Sequence, residues 1–366
     1  MFSFELKKIP LIPLWLVFAI STFGICILCS INSGNFFPWG IRQLIRLCIG
    51  TVALFSGAYI PIHFWKKYAY FLYMFGVALL ICVVIAGKIS MGAQRWISMF
   101  SFNFQPSELM RMFLIFAIAK YFSSKTVEQI RTTVCLIPGI VILTIPMTLV
   151  LIQPDLGTAI IFFCVCISIF FVCGVQIWKF VIAFLGGITS IPLIWHLLHD
   201  YQKSRILMFF SPEKDPNGAG YHVIQSKIAL GSGGIFGKGL LNGSQCQLNF
   251  LPEKQTDFVF AALGEELGFI GCLILIILFA ILIMYNFIVF TKQRSKFRQI
   301  LVFGLNAMLF FYVFINISMV CGMLPVVGIP LPFFSYGGSA LVVLMFCQGI
   351  IFSADIDKNK LSERMG

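Results

Sequence analysis

QLNFLPEKQTDFVFAALGEELGFIG, residues 247–271, passes from a polar stretch into an apolar one and gathers Glu253, Asp257, Glu265 and Glu266, four of the chain's 14 acids. A carboxylate beside or within a bilayer is costly, so this cluster calls for a functional explanation before a structural one. The bilayer is implied by what surrounds it. Of 366 residues 59% are hydrophobic and 11% charged, with a mean hydropathy of +0.96, far more apolar than a soluble surface tolerates.

Outward from that cluster, apolar windows of spanning length recur at 11–31, 40–60, 69–87, 106–122, 133–152, 156–174, 177–195, 258–290, 300–321 and 336–353. They predict an all-α polytopic membrane protein of ten transmembrane helices, a single domain over 1–366. One long extracytoplasmic loop, about 196–257, separates helices 7 and 8. The first window follows Lys7 and Lys8 but is too long for a signal peptide and lacks a small-x-small cleavage site, so it reads as a retained helix. The twelve cysteines lie almost entirely in apolar runs, as Cys26, Cys82, Cys164 and Cys347 do, and read as buried hydrophobes. Cys246 alone sits in a polar stretch; no disulfide is expected.

Cytoplasmic connections retain Lys and Arg. Fifteen of the 26 basic residues, among them Lys66, Lys67, Lys120, Lys125, Lys179, Lys292, Arg294 and Lys358, fall in one set of connections, which places both termini in the cytoplasm. The net charge of +12 is then a topology signal with attraction to anionic lipid, and nucleic acid is not a partner. Eight basic residues, including Arg95, Lys203, Arg205, Lys227, Lys238 and Lys254, fall outside against this bias and point to an anionic ligand there. Arg42 and Arg46, four apart, share one face of the second helix and either snorkel or line a polar cavity.

In QPSELMRM, 105–112, Pro106 marks a helix start, and Glu108 and Arg111 are spaced to pair along it. Asp155 in QPDLGT, 153–158, suits an N-cap. Gly-rich GSGGIFGKGLLNGS, 231–244, fails as a phosphate loop because Lys238 is followed by Gly239; it reads as a flexible loop whose amides approach a ligand. His196, His199 and Asp200 have metal-compatible spacing, but interfacial packing is the better reading of them. Trp96, beside Arg95 in a short outer loop, is placed to stack on a substrate.

QPSEL, QPDLGT, PEKDPNGAGYHVIQSKIALGSGGIFGKG (212–239), FLPEKQTDFVFA with GEELG (250–268) and GIPLPFFSYGGS (328–339) together resemble the SEDS family, the shape, elongation, division and sporulation proteins. QLNFLPE and GIPLPFFSYGGS are closer to its rod shape-determining branch than to its division branch. The resemblance implies a ten-helix peptidoglycan glycosyltransferase that polymerises lipid II outside the membrane. It also implies work beside a class B penicillin-binding protein and other elongation-complex membrane proteins. Asp257 matches the family's catalytic aspartate, while Trp96, Glu108 and Asp155 match positions around its cavity. Gln255 stands where the family usually has His, and Arg111 where it often has Lys.

Joining lipid-linked disaccharides displaces a polyprenyl pyrophosphate from an anomeric carbon, which requires a base on one side and cations on the other. Asp257 suits the base, Arg205, Lys238 and Arg111 the cations, with Glu253 nearby. The sequence leaves room for a divalent cation, magnesium or manganese, whose ligands it does not name; neither a nucleotide nor an organic cofactor is called for. On a helix starting near Asp257, Glu265 is about 12 Å further along and rotated by roughly 80°, so the two do not form a close pair. Glu265 and Glu266 then read as buried partners for basic groups, and Asp257 by spacing alone is equally an N-cap. A lipid II flippase is the competing reading, since intramembrane charges also mark transport pathways.

Overall fold

With no water to satisfy their backbone, apolar membrane segments must be helical, and the computed structural model is predominantly helical. It describes residues 9–90, 93–99, 102–190, 195, 196, 203, 207, 219–248, 250, 251 and 253–363. The helices are α1 (Leu11–Ile31), α2 (Trp39–Tyr59), α3 (Ile62–Ala86), α4 (Pro106–Ser123), α5 (Val127–Arg131), α6 (Leu136–Ile152), α7 (Leu156–Val172) and α8 (Ile177–Thr189). They continue with α9 (Ala219–Ser232), α10 (Ser244–Gln247), α11 (Val259–Thr291), α12 (Lys296–Val320) and α13 (Ser339–Glu363).

Each of the ten apolar windows falls on one of these helices. Six of them, α1, α2, α3, α11, α12 and α13, are long and apolar enough to cross a membrane. α6, α7 and α8 are apolar but shorter, and α4, at 18 residues, carries Glu108, Arg111 and Lys120. Three departures from the sequence reading matter. A three-stranded antiparallel meander, β1 (Lys88–Ser90), β2 (Ala93–Met99) and β3 (Phe102–Phe104), fills the connection before α4. α3 starts at Ile62, so Lys66 and Lys67 ride on its first turns instead of a loop. The region read as one long loop contains α9 and α10.

α4 and α12 form the centre. Fourteen of the 18 residues of α4 are buried, and α12 packs against α4, α7 and α11. α4 starts where expected: Gln105 is extended and Pro106 takes the first turn, where its missing N–H costs nothing. α2 and α13 lie close enough that a Cβ at Gly349 would stand 2.0 Å from the Leu54 carbonyl oxygen, an approach only glycine permits. α8, by contrast, buries none of its residues.

α11 is broken. At 33 residues a straight helix would run about 50 Å, against a hydrocarbon core of about 30 Å. Gly268, at φ 65° and ψ −161°, divides it, leaving a spanning segment from Phe269 onward preceded by a short helix that carries Glu265 and Glu266. The carbonyls released there do not go unpaired. The N–H of Lys238 donates to the Glu265 carbonyl at 3.0 Å and that of Gly239 to the Glu266 carbonyl at 2.9 Å. The glycine-rich loop, read from sequence as flexible with amides open to a ligand, thus spends two of them on α11.

Candidate functional site

Two constellations meet on α12. The first is a buried network between α4, α7 and α12. Glu108, Arg111 and Asp155 are 3%, 5% and 4% exposed, and charges at that depth persist only when paired. Arg111 Nη1 donates to Glu108 Oε2 at 2.7 Å, the i,i+3 pair expected from spacing, and Nη2 donates to the Thr158 hydroxyl. Thr158 in turn donates to Asp155 Oδ2 at 2.8 Å, and Gln105 Nε2 reaches the same oxygen at 3.1 Å. Asp155 caps α7 as its motif suggested, its Oδ1 accepting the Thr158 N–H at 3.2 Å, so cap and network membership coexist. Tyr312 on α12 closes the set: its hydroxyl donates to Glu108 Oε2 at 2.7 Å while the Arg111 guanidinium lies 4.8 Å from its ring centre.

The second constellation is the turn that carries Asp257. The N-cap position of α11 falls on Phe258, one residue after Asp257, and the Phe258 side chain makes no capping bond. Its main chain is pinned from α12, where Asn316 Nδ2 donates to the Asp257 carbonyl at 2.9 Å and to the Ile329 carbonyl at 2.7 Å. The neighbouring Gln255 carbonyl accepts the Tyr336 N–H at 2.8 Å, which ties the turn to the 328–336 segment a second time. Asp257 Oδ2 faces Gly328, where an added Cβ would come within 3.4 Å of it. Glu253 opens the turn at φ 48°, a left-handed backbone unusual for Glu, and its Oε2 accepts the Thr256 hydroxyl at 3.2 Å.

Tyr312 and Asn316 are four residues apart, hence on one face of α12 and about 6 Å apart along its axis. That face brings the Arg111 network and the Asp257 turn together. α2 approaches the same segment: Gln43 Nε2 donates to the Ser335 carbonyl at 2.9 Å, and the Arg46 guanidinium sits 4.1 Å from the Tyr336 ring centre. Arg46 therefore turns inward while Arg42 is exposed, which resolves the two readings of that pair. Its Nη1 is buried without a hydrogen-bond partner among the described residues.

Lys238 belongs to another cluster. Its Nζ meets Glu265 Oε1 at 2.7 Å, and the same carboxylate accepts from the Ser244 hydroxyl and the Gln245 and Cys246 N–H groups. Glu266 is equally buried, yet among the described residues it forms no ion pair, against the expectation of a basic partner. It packs instead against Gly243. Lys254 is buried, donates to the Cys246 carbonyl and lies near the Trp39 ring; burial lowers its pKa. Cys246 itself is buried despite its polar sequence setting. Trp96 is half-buried on β2, which contacts α3 and α4, so it stands near the start of the helix that carries Glu108. His196 is exposed; Arg205, His199 and Asp200 lie outside the described residues. No group of three or more potential metal ligands gathers among the described residues.

Sequence reasoning missed Asn316, Gln43 and Tyr336. The first two carried a signal, being amides inside membrane-spanning helices, where polar side chains are costly and rarely idle.

The cell cycle protein family of FtsW, RodA and SpoVE matches residues 8–360. Over 88% of its length the chain is 42% identical to peptidoglycan glycosyltransferase MrdB of Escherichia coli K12, covering 87% of that protein. It is 36% identical, over 96% of its length and 94% of the other's, to a probable peptidoglycan glycosyltransferase FtsW of Trichlorobacter lovleyi. Among solved structures it is similar to a chain of a peptidoglycan synthase complex, described as coordinating polymerization and crosslinking, with a TM-score of 0.83 and 29% identity over 96% and 98% of the two chains. The Thermus thermophilus rod shape determining protein RodA matches with a TM-score of 0.74 and 25% identity, over 97% and 99%. With nearly its whole length matched, the chain is a multi-pass membrane protein that belongs to the FtsW, RodA and SpoVE family.

Proposed function

We propose that the chain is a peptidoglycan glycosyltransferase that polymerises lipid II into glycan strands for cell-wall elongation, with Asp257 as its general base. The observation that carries the assignment to this site is the convergence on α12: Asn316 holds the Asp257 turn one helical turn from Tyr312, which holds Glu108 and Arg111. A carboxylate at the end of a membrane helix, backed by buried cations, is what displacement of a pyrophosphate requires.

The reaction is a single displacement with inversion. The 4-hydroxyl of the acceptor sugar attacks the anomeric carbon of the donor, Asp257 takes the hydroxyl proton, and the polyprenyl pyrophosphate leaves with the bonding pair. Arg46 is the cation we assign to the leaving group, because its Nη1 is not spent on an acceptor among the described residues and Arg suits bidentate phosphate contact. Arg111 is committed to Glu108 and Thr158 and contributes a fixed positive field. Arg205 is a further candidate. Lys238, engaged by Glu265, is a weaker one. Glu253, Glu108, Asp155 and Trp96 are assigned to shaping the pocket around the sugars. A divalent cation, magnesium or manganese, would be held by Asp257 only in the alternative in which that carboxylate serves as a metal ligand instead of the base, and would then supply charge neutralisation.

The positive-inside pattern supports ten spans, cytoplasmic termini and an extracytoplasmic Asp257. The likeness to a chain from a synthase complex supports a class B penicillin-binding protein as partner. A flippase would need paired broken helices; α11 carries one break, and loop amides occupy its freed carbonyls.

The test reconstitutes the purified chain with its transpeptidase partner in vesicles with labelled lipid II. Glycan strands establish the polymerase. Translocation of lipid II without strands would establish the flippase instead.

A further inference from the structure

The glycine-rich loop between α9 and α10 packs on α11, and its apolar side chains are turned outward. Phe236 is 79% exposed, Ile235 62%, Leu240 51% and Leu241 46%. In water such a patch would be a liability.

Two anchors fix its depth. On one side the N–H groups of Phe269 and Ile270 donate to the Gly234 and Ile235 carbonyls, at 2.9 and 3.2 Å. These residues open the spanning segment of α11, where Phe269, Leu273 and Ile274 present exposed apolar surface to the bilayer. On the other side the Leu241 N–H donates to Ser30 Oγ at 2.7 Å, and Ser30 lies in the last turn of α1, a second spanning helix. The loop is therefore tied to the adjoining ends of both spanning helices, and its exposed face continues their apolar outer surface.

Irregular backbone survives at that depth only if its polar groups are satisfied. Here the N–H groups of Gly237, Lys238 and Gly239 all donate to carbonyls, and the Lys238 charge is cancelled by Glu265 at 2.7 Å. At Gly237, φ 80°, a Cβ would sit 2.2 Å from the Glu266 carbonyl oxygen, so glycine is what lets the loop lie against the break in α11.

We infer that residues 234–241 form a re-entrant segment that inserts Ile235, Phe236, Leu240 and Leu241 among the acyl chains of the leaflet on the Asp257 side, with bilayer lipid as the occupant of this surface. The inference stands independently of the polymerase reading.

The test uses the unmodified full-length chain in vesicles of phosphatidylethanolamine and phosphatidylglycerol doped with a phospholipid carrying a diazirine at mid-chain. After photolysis, adducts are mapped by peptide mass spectrometry, and hydroxyl-radical labelling from bulk water is mapped in parallel. The expected result is acyl adducts on Ile235 and Phe236 at yields comparable to those on Phe269 and Ile274, with Phe236 protected from hydroxyl radicals. Adducts confined to the spanning helices, with Phe236 labelled from water, would overturn the inference and leave the patch to a protein partner.

Discussion

In the Glu108–Arg111–Asp155 network the charged side chains bond to one another through Thr158 and Tyr312, whereas the Asp257 turn is pinned through its main chain by Asn316 and Tyr336. The two regions share α12 but are built differently. Where side chains carry the architecture, removing one strands a buried charge. Where the main chain carries it, a side chain can be exchanged and the turn persists. The first arrangement suits a fixed electrostatic frame, the second a group whose proton must move during the reaction.

That contrast predicts a ranking of stability losses. Arg111→Met strands Glu108 and should cost about 3–5 kcal/mol, seen as a large drop in thermal unfolding temperature in detergent. Adding Glu108→Gln should recover part of the loss; a double variant no better than the single would mean the pair is not the source. Asn316→Ala removes the donor shared by the Asp257 and Ile329 carbonyls and should cost about 1–3 kcal/mol. It should also lower polymerisation by more than its stability loss explains, since the turn would lose its register. Arg46→Leu gives up a contact with Tyr336 worth about 1 kcal/mol, so its unfolding temperature should shift little. If Arg46 binds the leaving pyrophosphate, its polymerisation rate should nevertheless collapse; a near-normal rate would reassign that cation.

Much of this was readable in the sequence. Hydrophobic windows located the helices because spanning length is imposed by the bilayer. The Glu108–Arg111 pair and the Asp155 cap followed from helical spacing. The break at Gly268 did not show, because GEELGFIG contains no proline and the released carbonyls are satisfied by a loop some thirty residues earlier. The meander was hidden because two of its strands have only three residues and the seven of the third, AQRWISM, do not alternate strictly. Nor could the link between Gln255 and Tyr336 be seen, since main-chain bonds between distant segments leave no mark on residue type. Lys238 and Lys254 read as ligands for an anion because sequence shows charge without its partner; the structure supplies Glu265 for one and the Cys246 carbonyl for the other.

The central claim is that Asp257 is a base held in place by its main chain. Asp257→Asn, purified with the transpeptidase partner and supplied with labelled lipid II, measures it directly when strand formation and thermal unfolding are read on the same preparation. The account predicts an unfolding temperature close to wild type and a loss of strand synthesis of about 100-fold or more. Strand synthesis at the wild-type rate by a folded Asp257→Asn protein would contradict it.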